Sequence, residues 1–176
     1  MNKANAVTMA RIALVPVFVW LVYEGSTATA IAAFVVFLVA SASDSLDGYL
    51  ARKYKLVTRM GQFLDPTADK LLVGSALYVL VDTRDFPLWA AIVIAVRELA
   101  VQILRTQIVR AGRDLPASGG GKLKTVLQIS MVSWWLLPWP DHNPVHWVLL
   151  AAAVIVTITS GVRYFRKMER AAEVPS

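Results

Sequence analysis

Four aspartates fall within 26 residues of this chain, as Asp44, Asp47, Asp65 and Asp69. Separations of three and four put each pair on one face of a helix, about one turn apart. Two such pairs on neighbouring helices would converge on a common centre. The chain has no cysteine and no paired histidine, so hard oxygen ligands point to Mg²⁺ or a similar cation. Gly48 lies four after Asp44 and Ala51 four after Asp47, lining the same stripe with side chains small enough to let a ligand reach the backbone. Arg52 follows on the same side, where a guanidinium can hold a phosphate by a bidentate contact. Metal ligands, a small-residue platform and an arginine together read as a nucleotide diphosphate site. Taken singly, the residues say less: an aspartate pair in a basic loop is more often a solvated ion pair. Asp65 before Pro66 also suits a helix N-cap with proline at N1.

The elements that must position these residues are apolar. Of 176 residues, 57% are hydrophobic and 17% charged, with a mean hydropathy of +0.55. A soluble domain carries about 25% charged residues, so part of this apolar surface must face lipid. Six stretches approach the roughly 20 residues that cross a bilayer as a helix: 8–23, 28–50, 67–81, 87–108, 122–138 and 145–165. A membrane barrel would instead show short alternating strands. Glu24-Gly25-Ser26, Asp65-Pro66, Phe86-Pro87, Gly119-Gly120-Gly121 and Pro138-Trp139-Pro140 punctuate them, and the glycine run reads as a flexible entry loop or a plain connection. Carboxylates at this depth cost about 2.5–3.5 kcal/mol each on insertion scales, so something must compensate for four.

Charge gives the orientation. Lys3, Arg11, Arg52, Lys53, Lys55, Arg59, Arg105, Arg110, Arg113, Lys122, Lys124, Arg163, Arg166, Lys167 and Arg170 gather on one side. The opposite loops hold Glu24, Asp82, Arg84, Asp85 and Asp141. Basic residues are retained inside, so the expectation is an all-α integral membrane protein with six transmembrane helices and both termini cytoplasmic. No linker separates domains, and residues 1–176 read as one membrane domain. The net charge of +6 is dispersed between apolar segments, which argues against a nucleic-acid partner. Lys3, Arg11 and the run up to Thr27-Ala28-Thr29-Ala30 could pass for a secretory signal, but its removal would break the charge asymmetry. The six tryptophans, Trp134, Trp135, Trp139 and Trp147 among them, read as an interfacial belt.

The carboxylate segment resembles the CDP-alcohol phosphotransferases, whose signature D-x2-D-G-x2-A-R-x8-G-x3-D-x3-D is matched by Asp44, Asp47, Gly48, Ala51, Arg52, Gly61, Asp65 and Asp69. The resemblance implies an enzyme of the cell membrane: a homodimer with its active site facing the cytoplasm and two divalent ions per site, magnesium or manganese. It implies that the four aspartates are metal ligands and Asp69 also the general base. Gly48, Ala51, Arg52 and Gly61 would form the CDP site, with Thr58 a further contact. Asn5, Thr8 and Arg11 are similar to the family's P-N-x-x-T-x-x-R segment, which closes over the cytidine, although Ala4 stands where proline is common.

The signature fixes the donor, CDP-diacylglycerol, and not the acceptor. Arg97, Glu98, Val101, Leu104 and Arg105, with Gly121, Lys122, Lys124, Thr125 and Gln128, resemble the R-E-x-x-V-x-x-L-R and G-K-x-K-T-x-x-Q segments of the phosphatidylglycerophosphate-forming branch. That implies glycerol 3-phosphate as acceptor. Arg105, Arg110, Arg113, Lys122 and Lys124 form a cationic collar suited to a phosphorylated acceptor. The same residues would be expected from topology alone, touching anionic lipid headgroups. Arg97 and Glu98 read equally as a structural ion pair. Inositol phosphate, serine or phosphatidylglycerol as acceptor, or a divalent-cation transporter built on the carboxylates, are the alternatives.

Overall fold

Each of the six apolar stretches becomes a helix, and each helix runs past its stretch at the end where the basic residues gather. In the computed structural model these are α1 (Lys3–Glu24), α2 (Thr27–Lys53), α3 (Arg59–Thr83), α4 (Leu88–Arg110), α5 (Gly120–Leu136) and α6 (Pro144–Glu173). The structure describes residues 3–53, 59–110, 120–139 and 143–173, and the side chains of 8–43, 67–108, 122–139 and 143–166. No strand occurs among the described residues.

The largest departure from the sequence expectation is α3. It starts at Arg59 rather than near residue 67, so Asp65 is not an N-cap and Pro66 is not at N1; both lie inside the helix. Hydropathy marks only the apolar part of a helix, and the polar segment before it continues the same ladder. Likewise α5 opens at Gly120, so Gly120 and Gly121 form its first turn and not an entry loop.

The helix ends have local causes. Gly25 takes a left-handed φ of 76° that ends α1, and Ser26 caps α2. The Ser26 hydroxyl accepts the Thr29 N–H at 3.1 Å, and the Thr29 hydroxyl accepts the Ser26 N–H at 3.1 Å, a reciprocal box with threonine in place of the usual Glu or Gln. Asn143 caps α6 by accepting the Val145 N–H at 3.0 Å, with Pro144 as the first helical residue. At the end of α3, the Leu80 carbonyl accepts from both Arg84 and Phe86, and Asp85 holds a φ of 51°.

The helices group into two units. The first comprises residues 1–86 and 132–141, the second 87–131 and 142–176. In the first, α1 packs on α2 and α3, and α2 also touches α3. Its core takes Ala30, Ala33, Phe37 and Ala40 from α2 and Ala68, Leu72 and Ala76 from α3, small residues at helical spacing that let backbones approach closely. Phe18 of α1 meets Phe37 with ring centroids 5.9 Å apart. Trp135 is a correction to the belt expectation. It is buried in the first unit, donates its indole N–H to the Arg84 carbonyl at 3.1 Å, and meets Phe86 edge-on at 4.8 Å.

In the second unit α4 packs on α6. Large apolar side chains also face outward in both units, Trp20 and Tyr78 in the first and Val126 and Val148 in the second. Helices apolar on the outer face as well as the inner suit a lipid surround. Among the described residues, the 23-residue segment Pro144–Arg166 is long and apolar enough to cross a bilayer, with a mean hydropathy of 2.0 over an 18-residue stretch of it, and Thr27–Ser43 is a shorter apolar segment.

Candidate active site

The backbone settles where the two aspartate pairs stand. Asp44 and Asp47 lie on α2, and Asp65 and Asp69 on α3. Asp47 is six residues before the end of α2, and Asp65 is six residues after the start of α3. At 1.5 Å per residue both are about 9 Å along their helices from the connecting segment. Residues 54–58 alone separate the two helices, which touch one another in the first unit. Helices joined this closely run antiparallel, so the pairs sit at one depth.

Asp69 is half-buried, between the fully buried Ala68 and Leu72 on the next turn. The four aspartates, from two helices, would offer carboxylate oxygens alone, with no sulfur or imidazole. Such a set fits a hard divalent cation.

Arg11 and Thr8 stand on the face of α1 turned into the first unit. Arg11 is 2% exposed and donates Nε to the Ala40 carbonyl at 3.1 Å. Ala40 lies one turn before Asp44, so α1 is tied to α2 beside the start of the carboxylate stripe. A residue counted for topology as an inner-side charge is therefore part of the helix packing. Thr8 is buried one turn before it. The side chains of Asn5, Asp44, Asp47, Gly48, Ala51, Arg52, Gly61, Asp65 and Arg110 lie outside the described residues, as do Thr58 and Arg113 entirely.

The second unit divides the cationic collar. Arg105 and Lys122 are exposed, whereas Lys124 is 8% exposed and its Nζ lies 2.6 Å from Glu98 Oε1. The same oxygen receives Arg97 Nη1 at 3.1 Å, and Arg97 Nη2 donates to Ser160 Oγ at 3.0 Å. Ser160 and Gly161 were missed by sequence reasoning. Their signal is the polar and small run Thr157-Ile158-Thr159-Ser160-Gly161, which interrupts the apolar α6. Gly161 lets the Arg97 stem lie close to α6: a Cβ there would come within 3.3 Å of Arg97 Cγ.

Comparison with known proteins follows the same lines. The sequence model of the CDP-alcohol phosphatidyltransferase family matches residues 1–159. A Mycobacterium tuberculosis protein named probable phosphatidylglycerophosphate synthase is 40% identical over 175 residues, covering 96% of this chain and 82% of its own. A Bacillus subtilis CDP-diacylglycerol–glycerol-3-phosphate 3-phosphatidyltransferase is 40% identical over 186 residues, covering 94% of each chain. The enzyme of that name from Rickettsia bellii is 35% identical, with 96% of each chain covered.

Proposed function

We propose, from the premise that the chain belongs to the CDP-alcohol phosphatidyltransferase family, that it transfers the phosphatidyl group of CDP-diacylglycerol to glycerol 3-phosphate, giving phosphatidylglycerophosphate and CMP. The observation that carries this reading is the likeness, along nearly the whole chain, to relatives named for that reaction. The chain is thus a transferase of phospholipid biosynthesis.

Asp44, Asp47, Asp65 and Asp69 are the residues that would hold the divalent metal, two Mg²⁺ or Mn²⁺ per site. Bound there, such ions neutralise the pyrophosphate and stabilise the charge that develops on the phosphoryl group and on departing CMP. Asp69 takes the proton from the acceptor hydroxyl as that oxygen attacks the lipid-bearing phosphorus. The bond from that phosphorus to the bridging oxygen breaks, and CMP leaves with the electron pair. Gly48, Ala51 and Gly61 give the nucleotide room against the helix backbones, while Arg52, Thr58, Asn5 and Thr8 hold it. Arg11 keeps α1 seated on α2. Arg105, Arg110, Lys122 and Lys124 receive the acceptor's phosphate.

The whole chain acts as one catalytic domain of six membrane spans in the cell membrane, as a homodimer, with both termini and the active site on the cytoplasmic side. The donor's tails then stay in the bilayer while its headgroup reaches the carboxylates. Apolar outward faces and the gathering of basic residues at one set of helix ends support this reading. Purified protein given CDP-diacylglycerol and Mg²⁺ should release CMP with glycerol 3-phosphate. Release instead with inositol phosphate, serine or phosphatidylglycerol would overturn the acceptor and keep the chemistry; cation flux without release would overturn both.

A further inference from the structure

In the first unit α1 and α3 leave an open groove of about 340 Å³, lined by Val19 from α1 and by Lys70, Leu71, Gly74, Ser75 and Tyr78 from α3. The α3 residues recur at intervals of three and four, so they form one stripe of that helix. The buried Ala68, Leu72 and Ala76 form another, and Asp69 stands with these rather than with the groove. Leu71 and Tyr78 are exposed, and a Cβ on Gly74 would meet nothing within 4 Å, so the floor of the groove is open. Its two ends carry opposite charge. At one end Lys70 is half-buried and makes no ion pair among the described residues. Beyond the other end the Tyr23 hydroxyl donates to Asp82 Oδ2 at 2.8 Å, tying α1 to α3 one turn past Tyr78. Lys70 precedes Thr83, the last residue of α3, by about 20 Å of helix axis. In a hydrocarbon core about 30 Å thick, that puts it in the half nearer the basic helix ends. A lysine at such depth is costly until an anion meets it.

We propose that this groove seats one anionic phospholipid of the inner leaflet, with its phosphate on the Lys70 ammonium and an acyl chain lying from Gly74 to Tyr78. The order of charges selects this occupant. The cation at the inner end attracts a phosphate, and the Asp82 carboxylate at the outer end repels one from the opposite leaflet. The apolar lining suits a chain, which has about 12 Å of helix to lie along between Lys70 and Tyr78. This lipid is separate from CDP-diacylglycerol, because Asp69 is on the other stripe of α3. Its leaflet follows from the orientation proposed above; the pairing of phosphate with Lys70 does not depend on it.

Native mass spectrometry of the full chain in detergent tests this, titrating phosphatidylglycerol or phosphatidylcholine with the same acyl chains. The wild type should retain one phosphatidylglycerol about fivefold more tightly than phosphatidylcholine, the worth of one lysine beside anionic headgroups. Lys70→Met should erase that preference and Lys70→Arg should keep it. Gly74→Leu fills the groove without a clash and removes a glycine from a helix interior. It should weaken retention of both lipids while Tm holds or rises. Saturating CDP-diacylglycerol should leave the bound phosphatidylglycerol in place; displacement would put that lipid at the donor site and overturn the proposal. Equal retention of the two lipids by the wild type, or a preference that survives in Lys70→Met, overturns it as well. So does a Gly74→Leu protein that keeps its lipid but loses a dimer mass seen in the wild type, which would assign the groove to a second copy of the chain.

Discussion

At the scale of residues, the four aspartates differ in what each is asked to do. All four are proposed as metal ligands, and Asp69 alone is also proposed to take a proton. Asp69→Asn keeps the shape and a ligand oxygen while removing the base, so kcat should fall about 10²- to 10⁴-fold, the usual contribution of a general base. Raised Mg²⁺ should not restore it. Asp44→Asn removes a charged ligand without touching the base, and its deficit should shrink as Mg²⁺ rises, with a higher half-saturating concentration. CMP release titrated against Mg²⁺ for both variants checks this. Identical titration curves would remove the separate role of Asp69. Arg11 belongs to the same neighbourhood by a different route, since its Nε donates to the Ala40 carbonyl. Arg11→Met should lower stability by about 1.5–3 kcal/mol, the worth of a hydrogen bond to a charged group, read as a drop in Tm in detergent.

At the scale of elements, the legible features were local ones. Spacings of three and four suit the helical backbone that α2 and α3 have at the aspartates, and Gly25-Ser26 marks the turn between α1 and α2. What periodicity could not give is which helix face meets which. The Arg97–Ser160 contact joins residues 63 apart in sequence, and nothing in either helix alone announces it. The start of α3 was hidden because a polar stretch, proline included, has no hydropathy signal although its backbone continues as helix. The collar reading of Lys124 carried no sign of Glu98, whose carboxylate on α4 meets the ammonium from α5. Trp135 looked interfacial until its indole N–H found the Arg84 carbonyl. The Ser26–Thr29 box, by contrast, is local and separable from the site. Ser26→Ala should cost about 1 kcal/mol of stability by thermal unfolding and leave KM for both substrates unchanged, because it only frays the far end of α2.

At the scale of the whole molecule, the open proposal is orientation. Each helix outruns its apolar stretch at the end where the basic residues gather, by five residues in α1 and eight in α3 and α6. Extension of that kind is expected where helices leave the hydrocarbon core toward anionic headgroups, since Lys and Arg are good helix formers and are retained inside. The chain contains no cysteine, so single cysteines can be read against a silent background. Glu24 is exposed at the end of α1, and Arg166 is exposed near the end of α6. In intact cells a membrane-impermeant maleimide should label Glu24→Cys directly, and Arg166→Cys only after the membrane is opened. The reverse pattern would put the aspartates on the outer face, away from a cytoplasmic pool of glycerol 3-phosphate. Labelling of both from outside would mean that six spans is the wrong number. Either result would leave the aspartate chemistry standing and overturn the compartment in which it is proposed to act.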